Sequence, residues 1–234
     1  MNDDLDGNRC VRVVSLVPSA TETLAMWGHD PIACTRYCER PDLAHVGGTK
    51  NPDIAAIVDL APDLVVLDRH ENRREDADAL TAAGLAVIAL DVGSIDGLAG
   101  ELAQLAAAVG TSQPQLQLPS VEPLGLRVFV PIWRRPWMTI GADTYGSTLL
   151  AALGVTNVFA DAVDDYPQVD LADAAERQPD IVLAPSEPYE FTDDHLVDLE
   201  TVAPAVRVDG QDLFWWGTRT PGALNRLHAQ LAAS

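Results

Sequence analysis

The chain has 234 residues, 47% of them apolar, and 35 acidic against 15 basic side chains give it a formal charge of −20. That apolar content is enough to bury a core, which excludes intrinsic disorder. The charge and a pI near 4.3 set the chain against phosphate backbones and anionic lipid surfaces, and no apolar run reaches the roughly 18 residues of a membrane span.

Residues 1–9 are acidic and polar, with neither the positive start nor the apolar stretch of a secretion signal. The chain as it stands is therefore expected in the cytoplasm, or outside it if a signal once preceded Met1. Residues 11–17 read as a buried strand, and Ser19 with Glu22 forms a capping box opening a helix that ends at Gly28. A short strand at 32–35, a helix at 53–60 and a strand at 64–67 follow. Then come a helix at 71–83, a strand at 86–90 and a helix from Ser94 to about Val109. Strand–helix alternation of this kind predicts α/β layers around a parallel sheet.

Residues 111–126 break the pattern: Pro114, Pro119 and Pro123 forbid a continuous helix. The alternation then restarts, with strands at 127–133, 158–159, 181–184 and 205–208. Helices are expected at 144–153, 170–177 and 193–202, and from Pro221 with Thr220 as its N-cap. Asp53 and Ile54 precede Pro62-Asp63 by the spacing that separates Asp170 and Leu171 from Pro179-Asp180. The reading is α/β, with two related lobes, parallel-type sheets, a ligand cleft between them and a single interlobe connection. The boundaries are 1–110, a Pro-rich linker at 111–126, and 127–234.

Catalytic signatures are missing. No GxGxxG follows a strand, there is no GxSxG or HExxH, and Gly47-Gly48-Thr49-Lys50 has its lysine on the wrong side for a phosphate loop. Five histidines are scattered, and Cys10, Cys34 and Cys38 make no zinc pattern. No catalytic residue, metal ligand or required cofactor is nominated, and the chain reads as a non-enzyme. The aromatics are more telling, since eleven of thirteen fall in 127–234. Trp133, Arg134, Arg135 and Trp137 leave a strand, Tyr166 sits in a loop, and Phe214, Trp215 and Trp216 precede a helix. Large flat side chains on loops at strand ends suit a large flat organic ligand.

The segment from Val13 to Glu22 resembles the cobalamin-binding and iron-siderophore-binding proteins of ABC importers. So do Arg36-Tyr37-Cys38 with Pro41, Val46-Gly47-Gly48-Thr49 into Asn51-Pro52-Asp53, Asn157 to Phe159, and Tyr166 to Val169. The likeness runs over nearly the whole chain and is strongest to the cobalamin receptors. It implies two lobes bridged by a long helix, with the ligand between them and aromatics against its faces and edges. Carried over by position, it implicates Tyr37, Thr49, Asp68 and Arg69 in the first lobe. In the second it implicates Trp137, Tyr166 and the loop from Asp212 to Trp216. Thr49 and Asp68 stand where the cobalamin receptors tend to carry tryptophan.

The family docks on its permease through one exposed glutamate per lobe, for which Glu71 or Glu75 and Glu187 or Glu190 are the candidates. The resemblance thus implies a small-molecule binding protein holding a corrinoid or related metal chelate, cobalamin or a ferric chelate, for an ABC permease. It implies no nucleic-acid partner and no insertion into the membrane. The alternative is a cytoplasmic enzyme or chaperone that handles a corrinoid or an iron chelate.

Overall fold

A computed structural model describes residues 10–112 and 115–233. The chain forms two compact units: residues through Val92 with Leu98–Gln115, and Gly93–Gly97 with the residues from Leu116 on. Gly93–Gly97 joins the second unit, where the Ile95 N–H donates to Thr148 Oγ1 at 2.9 Å. No helix forms among the described residues of 111–126.

In the first unit the elements are β1 (Val13–Ser15), α1 (Pro18–Met26), β2 (Ala33–Cys34), β3 (Ala44–His45), β4 (Gly47–Gly48) and β5 (Asn51–Pro52). They continue with α2 (Ile54–Asp59), β6 (Leu64–Asp68), α3 (Arg74–Ala82), β7 (Val87–Leu90) and α4 (Leu98–Val109). Five strands make a parallel sheet in the order β3-β2-β1-β6-β7. Its central strands are buried along their length, as a parallel sheet covered on both faces requires. Val14, Leu16, Val65, Leu67, Ile57 and Leu80 form the core on one face. The capping box expected at Ser19 does not form. Pro18 opens α1, its fixed φ suiting the first turn, and Val17 precedes it in an extended conformation.

In the second unit they are β8 (Arg127–Phe129), β9 (Pro131–Trp133), β10 (Met138–Thr139), α5 (Tyr145–Ala152), β11 (Thr156–Asn157) and α6 (Leu171–Glu176). β12 (Ile181–Pro185), α7 (Asp193–Leu199), β13 (Ala205–Val208), α8 (Gly210–Phe214) and α9 (Thr220–Leu231) complete it. Its parallel sheet has the order β11-β8-β12-β13. The single strand expected at 127–133 is two, because Pro131 has no N–H to continue the ladder. The Val130 carbonyl accepts instead from Thr139 Oγ1 at 2.7 Å, and β9 turns away into an antiparallel hairpin with β10. The strand expected at 158–159 lies two residues earlier. Helix α9 begins one residue before Pro221, with Arg219 at its cap; the Thr220 hydroxyl meets Tyr145 Oη at 2.8 Å.

The two sheets open with the same device. The Arg12 N–H donates to Asp63 Oδ2 at 2.9 Å, the Asp63 N–H returns a bond to the Arg12 carbonyl, and the guanidinium reaches the Leu60 carbonyl ending α2. In the second unit Arg127 repeats this with Asp180 at 2.7 Å and with the Arg177 carbonyl ending α6. Asp63→Ala and Asp180→Ala each remove a carboxylate–amide bond at an exposed site. Each is expected to cost about 1 kcal/mol, roughly 2–4 °C in thermal midpoint. Calorimetry showing clearly unequal losses would argue against equivalent roles.

Candidate functional site

In both units the loops leaving the carboxyl ends of the parallel strands gather the predicted residues. A doubly wound sheet leaves a crevice there, where successive connections turn to opposite faces. In the first unit that place lies between β1 and β6.

Tyr37 follows β2 and is half exposed. Its turn is pinned from below by the buried Cys38, whose sulfur meets Thr21 Oγ1 and Thr35 Oγ1, both at 3.2 Å. The Cys38 thiol is held down to about 6, chiefly by a hydrogen bond from Cys34 and, against its burial, by those hydroxyls. The Arg36 guanidinium donates to Tyr37 Oη at 3.0 Å and stacks 4.8 Å from the ring centroid. Both side chains lie over Gly48: a methyl group there would come within 3.0 Å of the tyrosine ring and 3.1 Å of the guanidinium. Thr49 and Lys50 form the tip of the β4–β5 hairpin.

Asn72, buried in the loop after β6, ties this end together. Its amide donates to the carbonyls of Leu16 and Thr49, and its Oδ1 accepts from the Asp68 N–H. Asp68 itself is 1% exposed, and its carboxylate accepts from the N–H groups of His70 and Val92. Burial pushes that carboxyl up, and those N–H groups oppose the shift. Asp68 thus orders the loop from within, with its carboxylate buried. Arg69 is exposed, and shares Asp91 with His70, each at 3.2 Å.

In the second unit the β9–β10 hairpin carries Trp133, Arg134, Arg135 and Trp137 beyond the end of β8. Opposite it, the loop after β12 brings up Tyr189 and Phe191. Trp133 meets Tyr189 edge-on at 5.4 Å, and Trp137 lies parallel to Phe191 at 6.1 Å. Tyr189 and Phe191 are 4.9 Å apart, with His195 of α7 against both. Arg134 lies 5.7 Å from the Trp137 ring and pairs with Asp198 at 2.6 Å. Tyr166 is 40% exposed, in a loop held along β10 by the bonds of Thr139 to Pro167 and of Val169 to Trp137.

The segment from Asp212 to Trp216 is built differently from the expectation. Asp212 is 3% exposed and is gripped by Arg226 at 2.6 and 2.7 Å, with Arg219 at 3.7 Å. Trp215 and Trp216 are buried, and Phe214 is partly covered and close to Gly146. These residues hold α8 and α9 together. Of the four glutamates, Glu75 on α3 and Glu190 after β12 are exposed, while Glu71 and Glu187 are partly covered.

Arg36, Asn72, Tyr189, Phe191 and His195 were not singled out from the sequence. Tyr189 and Phe191 did carry a signal: two aromatics two residues apart, which share one side of an extended segment. Asn72 carried none.

A family model described as periplasmic binding protein matches residues 13–120. A vitamin B12-binding protein of Salmonella typhi is 30% identical over 189 residues, 74% of this chain and 71% of that protein. The chain belongs to the periplasmic binding protein family, in its cobalamin and siderophore branch. A second such binding protein, the vitamin B12-binding protein of Salmonella paratyphi A, is 29% identical over 191 residues, with the same coverage.

Two solved binding proteins share the fold. The periplasmic vitamin B12-binding protein of Vibrio cholerae aligns with a TM-score of 0.74 at 19% identity, over 96% of this chain and 97% of that one. The periplasmic heme-binding protein of Roseiflexus sp. RS-1 aligns at 0.78 and 20%, over 96% and 99%. The family's members are binding proteins. Among the described residues of this one, no helix is long and apolar enough to cross a membrane.

Proposed function

We propose that this binding protein holds a flat metal chelate of the tetrapyrrole class, a corrinoid or a porphyrin, and delivers it to an ABC-type permease outside the cytoplasmic membrane. One observation carries the reading: the exposed aromatics among the described residues are Tyr37, Trp133 and Tyr166, and all three sit on loops or, for Trp133, on a hairpin beyond the carboxyl ends of parallel strands. Exposed aromatic rings cost free energy in water, and grouping them on recognition loops suits a ligand with a large π face. The names of the relatives, vitamin B12-binding and heme-binding, support the same class. Trp137, Tyr189 and Phe191 stiffen the platform behind Trp133, with Arg134 and Arg135 supplying polar contacts in that unit and Thr49 and Arg69 doing so in the first.

Nothing in this role needs a catalytic group or a resident cofactor; the chelate is cargo. The exposed Glu75 and Glu190 are the proposed contacts with arginines of the permease, one from each unit. Titration of the purified protein with cyanocobalamin and with haemin tests the reading through tryptophan fluorescence and ligand absorbance. Saturable binding of at least one of them at micromolar concentration is expected. Absence of binding for both overturns it.

A further inference from the structure

Charge on the first unit's recognition loops runs against the composition of the chain. Lys50 is the chain's single lysine, and it lies at the tip of the β4–β5 hairpin, whose Gly47 carbonyl accepts from the Arg36 N–H at 3.0 Å and whose Gly48 lies under the Arg36 guanidinium. Among the described residues neither cation has a carboxylate within 4 Å: Lys50 Nζ donates to the His70 carbonyl at 3.3 Å, and Arg36 donates to Tyr37 Oη. Elsewhere the described arginines are matched to carboxylates or, like Arg12 and Arg127, to carbonyls, Arg135 on its hairpin excepted. The Lys50 bond also brings the hairpin to the loop carrying Arg69 and His70, which have Asp91 alone to share.

The Arg36 backbone bond to Gly47 and the Lys50 bond to the His70 carbonyl thus link two unmatched cations to the loop of Arg69. Beside Arg69, Asp68 is turned inward and buried, and Asp53, three residues from Lys50, accepts from the Ala56 N–H at the start of α2. At physiological ionic strength charges beyond about 8 Å are largely screened, so this local cluster, and not the net −20, sets the field a ligand meets.

The geometry points to a cationic subsite, formed by Arg36 and Lys50 with Arg69 behind them, that binds ionised carboxylates on the rim of the chelate. This rests on the tetrapyrrole reading and narrows it. Haemin carries two carboxylates on its edge, whereas the corrin edge of cyanocobalamin carries neutral amides. The subsite therefore favours the carboxylate-bearing chelate. Tyr37, hydrogen-bonded to Arg36 and stacked beneath it, lies against the same ligand edge.

The test compares the wild-type protein with the double variant Arg36→Gln/Lys50→Gln, using haemin and cyanocobalamin as probes. Arg207→Gln serves as the control for a change of charge elsewhere. Arg36 and Lys50 are exposed, so the double variant should melt with the wild type. Haemin affinity is expected to fall about tenfold or more in the double variant, while any cyanocobalamin affinity changes less than about twofold. Added salt should weaken haemin binding to the wild type and do so less in the variant. If haemin binds the wild type and the double variant equally well, the subsite is wrong and the tetrapyrrole reading stands. If neither probe binds the wild type, the tetrapyrrole reading fails and takes this inference with it.

Discussion

Asp212→Ala is expected to lower the thermal midpoint by roughly 6–12 °C, the largest stability loss expected here. The carboxylate is 4% exposed and accepts two hydrogen bonds from Arg226, with Arg219 at 3.7 Å and itself 15% exposed. Removing the carboxylate takes two charge-assisted hydrogen bonds from Arg226, itself 57% exposed, and leaves the largely covered Arg219 without its carboxylate, a loss of about 3 kcal/mol; each kcal/mol moves the midpoint of a chain this size by about 2–4 °C. Asp212→Asn keeps the shape and one acceptor, so it should fall between wild type and Asp212→Ala. The two readings of this residue then separate cleanly. If Asp212 touched the ligand, the alanine variant would lose affinity and keep its midpoint. A melting curve that overlays the wild type would overturn its structural role.

Trp133→Ala is expected to do the opposite, lowering ligand affinity by about thirtyfold and leaving the midpoint within about 2 °C. Trp133 is 44% exposed, so little of its ring is stabilised by the fold, and its contact is an edge-on meeting with Tyr189. Its free face is the surface proposed to meet a flat ligand. Trp133→Phe retains a ring and should recover most of the binding. If truncation leaves affinity intact for whichever tetrapyrrole binds the wild type, the hairpin is no part of the site. If it lowers affinity and midpoint together, the residue belongs to the core.

Much of the fold was legible because its signals are local. The spacing of Pro62-Asp63 and Pro179-Asp180 reflects the paired aspartates that close each sheet's leading edge, and β13 appears where its apolar run placed it. The failures also have physical causes. A capping box is a pattern of two residues, and at Ser19 the neighbouring Pro18 had already fixed the helix start. The split of β8 from β9 turned on one missing N–H at Pro131, outweighed in the sequence by the apolar run around it.

The site was harder to read than the fold. Trp133 and Tyr166 were nominated as aromatics at strand ends and in loops, and Tyr37 through the resemblance of Arg36-Tyr37-Cys38; all three are exposed on the folded chain. Trp215 and Trp216 are aromatics of the same kind, but their burial, like that of Asp212 against Arg226, depends on packing from distant segments, which no local pattern records. Asn72 is the opposite case: an ordinary loop residue whose three bonds to Leu16, Thr49 and Asp68 exist only after folding.

The shared Arg12–Asp63 and Arg127–Asp180 clamps sit at the leading ends of the strands, while the β4–β5 and β9–β10 hairpins sit beyond the trailing ends. Stability and recognition are therefore encoded in separate stretches of the gene. Residues 36–37, 49–50 and 133–137 can drift, or be randomised in a library, with the clamps still selecting for a folded scaffold. A receptor built this way acquires new cargo by changing its loops alone, which accounts for how one architecture serves chelates of unlike charge.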